Sequence, residues 1–390
     1  MSVRDLLIVG AGPSGLAAAI AAKQHGLDYQ VVEQGVLVNS IFRFPPQMVF
    51  FTTPELLEIG GLPFVSPFDK PTRAEALRYY RAVVETYQLP ITFDETVLSI
   101  ARETEEGSEE AGKAGLPTDL SADARGAKVE ARSAKVGGAG SEEGTVFAVE
   151  TRSGRGVRRV RHARHVVMAI GYYDHPVMIG VPGEDLPHVR HYYAEPHPHY
   201  RQRVVIVGGG NSAAESALEM FRAGAHVTLV HRAPSLKSTI KYWVRPDIEN
   251  RIKEGSIAAR FERCVKEIRP TSVVLVGSGG SVGSSEPQEP TSPKLAGRDA
   301  SEGGEEEIPA DAVYLLTGYR ADADLMCRAG VRLNERWAPI HDPVTFETNV
   351  PGLFVAGGAI AGVDTGTIFI ENGRFHGTKI VEEIARRLQG

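Results

Sequence analysis

The sequence predicts an α/β protein, because a unit made of a strand, a glycine-rich turn, a helix and a second strand occurs in it twice. Gly10 and Glu33 mark the start of the turn and the end of the second strand in the first copy. Gly208 and His231 mark the same points in the second copy, and both pairs lie 23 positions apart. The 390 residues suffice for about two or three domains of ordinary size. We therefore predict two Rossmann-like dinucleotide-binding domains.

The first unit contains every part of a dinucleotide-binding fingerprint in the required order. Strand 6–9 is followed by Gly10-Ala-Gly12-Pro13-Ser14-Gly15, by an Ala-rich helix, and by strand 29–32, which ends at Glu33. Gly10 permits a tight turn, Gly12 lets the backbone approach a pyrophosphate, and Gly15 lets the helix pack closely on the strand. The helix N-terminus offers N–H groups and a positive partial charge to the phosphates. Glu33 is placed to accept hydrogen bonds from an adenosine ribose.

The second unit carries a basic pair where the first carries an acid. Strand 204–207 leads into Gly208-Gly-Gly210-Asn211-Ser212-Ala213, a helix to residue 221, and strand 227–230, which is followed by His231-Arg232. A carboxylate repels a ribose 2′-phosphate, whereas the planar guanidinium of Arg232 can pair with one. The first unit therefore suits FAD and the second NADPH, with Lys237 and Lys241 adding positive charge near the phosphate. Two facing dinucleotides are the layout of a flavoprotein that takes hydride from a nicotinamide.

Other apolar segments that end in glycine fit the same scheme. Residues 166–171 and 313–318 end in Gly171 and Gly318, and we predict that they cross between the two domains. Residues 352–358 form a strand that brings Gly357 and Gly358 to the first domain, and residues 366–370 open a final helix that runs through Leu388. A helix N-terminus aimed at the flavin would stabilise the negative charge of the reduced ring.

The charge of the chain is concentrated in two segments that lack aromatic residues. Residues 101–145 hold ten acids and six bases, a net of −4, and residues 277–310 hold seven acids and two bases, a net of −5. Since the whole chain carries −6, the remainder is close to +3, so no basic excess points to nucleic acid. We predict that both segments are solvated inserts in hairpins of small β-meanders; a docking element for a partner is the alternative.

The predicted organisation is a discontinuous FAD-binding domain of residues 1–185 and 320–390, interrupted by an NADPH-binding domain of residues 200–317. A linker of residues 186–199 joins them. This linker contains His188, His191, Glu195, His197 and His199. Imidazoles suit Zn or Ni, but the prolines between them favour an interdomain hinge, and no metal site is predicted.

Cysteine usage and hydropathy exclude several classes. Cys264 and Cys327 are the two cysteines of the chain, too few for a disulfide scaffold or a four-cysteine metal site, and their spacing excludes a Cys-x-x-Cys dithiol. We interpret both as incidental thiols. No apolar run reaches the length of a bilayer span or forms a secretory signal, so a cytoplasmic protein is predicted.

At this point the chain resembles the bacillithiol-disulfide reductase (YpdA-type) flavoproteins, within the low-molecular-weight thioredoxin-reductase-like superfamily. Four segments carry the resemblance: residues 10–15, 42–53, 208–213 and 368–377. It implies a thioredoxin-reductase-like fold, bound FAD, NADPH as donor, an oxidised low-molecular-weight thiol as acceptor, and a homo-oligomer, either a dimer or a tetramer. It also implies further cofactor contacts: Gln34, Thr52, Val97, Gly171, Gly357, Gly358, Thr367 and Ile368 toward FAD, and Gly318 toward NADPH.

Two positions depart from the related patterns. Ser14 stands where this family usually has a cysteine proposed to take part in disulfide reduction, and a serine cannot form a mixed disulfide. Gly357-Gly358 replaces the Gly-Asp with which thioredoxin reductases hold the ribityl chain, although the bacillithiol-disulfide reductases also lack that Asp. No catalytic residue is assigned, and direct reduction of a bound disulfide by the flavin stays open.

The predicted function is therefore transfer of hydride from NADPH to FAD and of electrons onward to a small disulfide. An NADPH reductase of a small redox protein, ferredoxin or flavodoxin, is the main alternative, because thioredoxin-reductase-like folds without redox cysteines perform that reaction. A flavin monooxygenase is suggested by the Gly-x-Gly-Asn-Ser of the second unit. A redox-sensing flavoprotein that signals by domain rotation is the non-enzymatic alternative.

Overall fold

A computed structural model describes residues 3–104, 145–279 and 304–389. The helices in these ranges are α1 (Pro13–Gln24), α2 (Asn39–Arg43), α3 (Arg73–Tyr87), α4 (Asn211–Arg222), α5 (Arg245–Lys253), α6 (Ala323–Arg328) and α7 (Ile370–Gln389), with short 3-10 helices at Pro54–Leu57, His197–His199 and Gly357–Ala361. Within the described ranges, no helix combines the length and apolar character needed to cross a bilayer.

One seven-stranded sheet contains the first glycine turn. Its strands are β1 (Arg4–Val9), β2 (Tyr29–Val32), β3 (Ile91–Thr92), β4 (Glu95–Thr104), β5 (Thr145–Ser153), β6 (Arg158–Met168) and a late strand, Leu353–Val355, in the order β3-β2-β1-β6-β5-β4 with the late strand on β6. β1, β2, β3 and the end of β6 are parallel, whereas β4, β5 and the start of β6 form an antiparallel meander. The long strand β6 therefore connects the nucleotide-binding sheet to the meander.

A five-stranded parallel sheet contains the second turn. The strands that follow β6 in chain order are β7 (His175–Pro176), β8 (Val189–Arg190), β9 (Arg203–Val207), β10 (His226–His231), β11 (Ala258–Phe261), β12 (Arg263–Arg269), β13 (Ser272–Gly277), β14 (Glu306–Pro309), β15 (Ala312–Leu315) and β16 (Tyr319–Arg320). The late strand of the first sheet, Leu353–Val355, is β17. The sheet order is β11-β10-β9-β15-β8, and β12, β13 and β14 form a separate antiparallel sheet. The fold is thus α/β with two Rossmann-like units, each accompanied by a meander.

The structure refines several predicted boundaries. β8 lies within residues 186–199, so the predicted linker contributes a strand to the second sheet by pairing with β15. β14 occupies the end of the predicted insert 277–310 and pairs with β13. β4 runs to Thr104, inside the predicted insert 101–145, and pairs with β5. Both predicted intervals are therefore too wide. Residues 105–144 and 280–303, the central parts of both inserts, lie outside the described residues.

The glycine-ended segments are shorter strands than predicted. β6 ends at Met168 and β15 at Leu315, and the backbone beyond them forms the antiparallel pair of β7 with β16 between the halves. The predicted strand 352–358 ends at Val355, and Gly357 begins a 3-10 helix instead.

Close packing of α1 on α7 joins the two ends of the chain. A Cβ on Gly377 would lie 2.5 Å from the backbone nitrogen of Ala18 and 2.5 Å from the carbonyl oxygen of Ser14. Gly373, one turn earlier on α7, is also closely packed, since a Cβ there would lie 3.2 Å from the Cα of Gly357 and 3.3 Å from the Ser14 hydroxyl. These glycines allow the last helix to lie directly on the first, beside the first glycine turn.

Candidate functional site

A cavity of about 710 Å³ opens between the two glycine turns. From the residues predicted for FAD, its lining includes Gly10, Gly12, Pro13, Ser14, Glu33, Gln34, Val97, Gly171, Gly358 and Ile368. From those predicted for NADPH, it includes Asn211 and Ser212 at the N-terminus of α4, and Lys241 also lines it. The structure therefore brings parts of both predicted nucleotide sites to one space.

The glycines of the first turn differ in what surrounds them. Gly10 has a φ of +107°, and a Cβ there would collide with the carbonyl oxygen of Ala169. A Cβ on Gly15 would collide with the carbonyl oxygen of Gly10. Gly12, by contrast, has no protein atom within 4 Å of the position of a Cβ, and it lines the cavity. The turn is closed on its protein side and open on its cavity side, as a cradle for the pyrophosphate of FAD requires.

Glu33 connects the first turn to the end of β2. Glu33 is 6% exposed, and its carboxylate accepts hydrogen bonds from the N–H groups of Ala11, at 2.7 Å, and Gly35, at 2.9 Å. Burial raises the pKa of this carboxyl group, and the two backbone donors oppose that shift. Because each carboxylate oxygen can accept more than one hydrogen bond, Glu33 can hold the turn and still bind a ribose hydroxyl in the cavity.

Ser14 lies where the first turn, α7 and Gly357 meet. Its hydroxyl donates a 3.0 Å hydrogen bond to the carbonyl oxygen of Gly373, and a Cβ on Gly357 would collide with the same hydroxyl. The serine side chain therefore links α1 to α7 at the edge of the cavity. At the position where the resemblance predicts a cysteine, this protein therefore has a serine whose hydroxyl takes part in a contact between two helices.

The second turn repeats the first with different side chains. A Cβ on Gly208 would lie 2.5 Å from the carbonyl oxygen of Leu316, just as Gly10 abuts Ala169. The His231 ring lies against Gly209, where a Cβ would collide with it. Burial lowers the pKa of His231, and the charges of Lys237 and Arg232 lower it further.

The remaining predicted contacts are not among the residues that line the cavity. Among the FAD set these are Gly15, Thr52, Gly357 and Thr367, and among the NADPH set they are Gly208, Gly210, Ala213, His231, Arg232, Lys237 and Gly318. Arg232 and Lys237 are exposed beside the second turn, where a ribose 2′-phosphate could reach them from solvent. Their assignment to NADPH stays a prediction.

The cysteines and the linker histidines lie away from the cavity lining. Cys264 is half-buried in β12, and Cys327 is exposed on α6. His199 is bonded through Nε2 to the Tyr314 hydroxyl at 2.7 Å, and His191 lies 3.7 Å from Glu184. In the described ranges, no three His, Cys, Asp or Glu side chains are grouped as metal ligands would be.

Contacts between the two halves border the cavity. The Phe51 ring stacks on Trp243 with centroids 5.3 Å apart, and the Lys70 ammonium lies 3.4 Å from the Trp243 centroid. Nearby, the side-chain amide of Gln47, in the first half, donates a hydrogen bond to the Glu219 carboxylate on α4. These contacts hold the two turns on one cavity.

Sequence reasoning missed the residues that follow β6. Tyr172, Tyr173 and Asp174 all line the cavity, and Asp174 accepts a 2.9 Å hydrogen bond from Gln34. They follow Gly171, the last residue of the segment predicted at 166–171, so the rule that identified Glu33, a polar side chain directly after a predicted strand, would have pointed to them.

Two glycine turns, each following a strand with parallel neighbours and both reaching one cavity, are the arrangement of a pyridine-nucleotide-linked flavoprotein oxidoreductase. The chain belongs to the pyridine nucleotide-disulphide oxidoreductase family, whose pattern matches residues 7–110 and 134–286. It is 34% identical to bacilliredoxin reductase Bdr of Bacillus subtilis (strain 168), over 98% of this chain and 97% of that protein. The chain is accordingly an NADPH-dependent oxidoreductase that uses FAD.

Solved structures agree with this placement. Bacillithiol disulfide reductase Bdr (YpdA) from Bacillus cereus superimposes with a TM-score of 0.81 at 32% identity, covering 99% of this chain and 100% of that one. The thioredoxin reductase of T. acidophilum superimposes with a TM-score of 0.65 at 19% identity, covering all of both chains. The predicted thioredoxin-reductase-like fold and the predicted relationship to the bacillithiol-disulfide reductases are confirmed.

Proposed function

We propose that this protein uses NADPH to reduce a low-molecular-weight disulfide, and that its acceptor is bacillithiol disulfide, the compound in the name of the Bacillus cereus relative. The observation that carries the electron path is the shared cavity, which both glycine turns enter and which reaches Ser14. The choice of acceptor rests on likeness to that relative over the full chain.

When bound, FAD would accept hydride from NADPH and return two electrons to the disulfide. The overall reaction is NADPH + H⁺ + RSSR → NADP⁺ + 2 RSH, in which the S–S bond breaks and each sulfur gains one electron and one proton. Gly12 and the N-terminus of α1 would hold the pyrophosphate, and Asn211 and Ser212 would receive the second nucleotide. The side chain of Glu371 also lies on the cavity wall.

No protein thiol is placed to enter this reaction. Ser14 cannot form a disulfide with the substrate, and its hydroxyl is bonded to Gly373. Neither Cys264 nor Cys327 lines the cavity. We therefore propose that the disulfide is reduced directly at the flavin and that the first thiolate leaves from the bound substrate itself.

Ser14 also favours a second candidate, an NADPH reductase of a small redox protein such as ferredoxin or flavodoxin. Such a carrier takes electrons without any thiol exchange. Its test differs from that of the first candidate in the acceptor alone.

The protein should work as a cytoplasmic homo-oligomer, either a dimer or a tetramer. This proposal rests on the family resemblance, and light scattering of the purified holoprotein measures the assembly directly. A monomeric mass would refute it.

The test of the function is anaerobic and uses the purified holoprotein. One equivalent of NADPH should bleach the flavin, and bacillithiol disulfide added next should restore the oxidised visible spectrum with release of two thiols. The control variant Cys327→Ser should retain both steps, since that thiol is exposed on α6 and does not line the cavity. No reoxidation by the disulfide, followed by fast reoxidation by ferredoxin or flavodoxin, would overturn the first proposal in favour of the second.

A further inference from the structure

Tyr172 presents a polar group to the cavity that the protein itself does not use. It directly follows Gly171, whose φ is +62°, and it lines the cavity. Its hydroxyl makes no hydrogen bond to another residue in the described ranges. The hydroxyl oxygen is not fully buried, so solvent still reaches it. A half-buried phenol in this state is available to a bound molecule.

The ring of Tyr172 explains why position 358 has no side chain. A Cβ on Gly358 would lie 2.7 Å from Cδ1 and 2.9 Å from Cε1 of Tyr172, closer than packed carbon atoms approach one another. Tyr172 therefore fills the volume that a side chain at position 358 would need. Gly358 offers only backbone to the cavity, and the polar side chain beside it is Tyr172.

The sheet order places Tyr172 relative to a bound dinucleotide. The strands run β2-β1-β6, with β17 also on β6. Glu33 directly follows β2, and Gly12 follows β1. With its adenosine ribose at Glu33 and its pyrophosphate at Gly12, FAD would extend away from β2. That direction leads over β6 and β17, toward Tyr172 and Gly358.

We propose that the Tyr172 hydroxyl donates a hydrogen bond to an oxygen of the ribityl phosphate in the flavin half of FAD. Tyr172 is then a positioning residue for the cofactor. Burial raises the pKa of Tyr172, and the Glu371 carboxylate raises it further, so the phenol stays neutral and can donate at physiological pH. This inference rests on FAD binding alone. It does not depend on which acceptor the enzyme reduces.

The test compares Tyr172→Phe with Tyr29→Phe. The Tyr29 hydroxyl is buried without a partner and does not line the cavity, so its loss is the matched control. Apoprotein of each variant is titrated with FAD by fluorescence, and its melting temperature is measured without and with FAD. Tyr172→Phe should weaken FAD binding by about 3- to 10-fold, as expected for one neutral hydrogen bond, with an unchanged apoprotein melting temperature and a smaller rise on adding FAD. Tyr29→Phe should bind FAD like the unaltered protein.

Two results would overturn the proposal. The first is an FAD dissociation constant for Tyr172→Phe equal to that of Tyr29→Phe. The second is a lower melting temperature of Tyr172→Phe apoprotein with an unchanged rise on adding FAD, because that result assigns the hydroxyl to folding and not to the cofactor. Failure of the disulfide assay would leave both readouts untouched.

Discussion

Replacing Gly12 by alanine separates cofactor binding from folding. Gly12 has φ −76° and ψ 176°, an extended conformation that alanine adopts without strain. No protein atom lies within 4 Å of the added methyl group. The methyl group would instead point into the cavity, where we place the FAD pyrophosphate.

The two expected effects of Gly12→Ala have opposite signs. The free energy of unfolding of the apoprotein should stay the same or rise by about 0.4–1 kcal/mol, because alanine restricts the unfolded chain. FAD binding should lose at least one backbone hydrogen bond to a charged phosphate, which is worth about 1.5–3 kcal/mol. That loss corresponds to an FAD dissociation constant about 10- to 150-fold higher, measured by titrating apoprotein with FAD.

Gly10→Ala provides the contrast. Its Cβ would collide with Ala169 in a backbone conformation that disfavours side chains, so it should destabilise the apoprotein itself. If Gly12→Ala binds FAD as tightly as the unaltered protein, the pyrophosphate does not approach this turn and the assignment of the first unit is wrong.

Three further predictions concern α7, the second turn and a buried histidine. Gly377→Ala should lower the free energy of unfolding in urea by about 1–3 kcal/mol, because its Cβ would meet the backbone of Ala18; unchanged stability would contradict the described packing. Arg232→Ala should raise the KM for NADPH far more than that for NADH, and equal effects would refute the 2′-phosphate assignment. Burial lowers the pKa of His376 to about 4, so the unfolded chain binds its proton first and stability should fall from pH 6.5 toward pH 4. The fall should be shallower in His376→Asn, and parallel pH profiles would contradict this.

The elements predicted from sequence are those specified by local pattern. The strand, glycine turn and helix at Gly10 and at Gly208 can be recognised without knowing the rest of the chain, because glycine is required wherever backbone approaches backbone or ligand. The acid at Glu33 and the bases at His231 and Arg232 follow from the same spacing. Contacts between the two halves, such as the Phe51 ring on Trp243, then bring both turns to one cavity.

Contacts between distant segments could not be predicted in the same way. Ser14 bonds Gly373 across 359 positions, and no local pattern specifies that α7 crosses α1 there. Tyr172 acquires its place only because β17 brings Gly358 beside β6. The predicted insert 277–310 was too wide because the acidic run at its end, Glu305 to Glu307, resembles a solvated loop although part of it pairs as β14. The acidic composition of this segment indicates that its side chains are exposed to solvent, but it does not indicate whether its backbone pairs with another strand.

The central claim is that this flavoprotein reduces a disulfide without a thiol of its own. The chain has two cysteines, so the double variant Cys264→Ser with Cys327→Ser removes every protein thiol. Anaerobic stopped-flow measurement of the NADPH-reduced double variant with bacillithiol disulfide is the most direct test. The account predicts reoxidation of the flavin at the same rate as in the unaltered protein. Loss of reoxidation in a double variant whose flavin is still reduced by NADPH would contradict it, because a protein thiol would then be required.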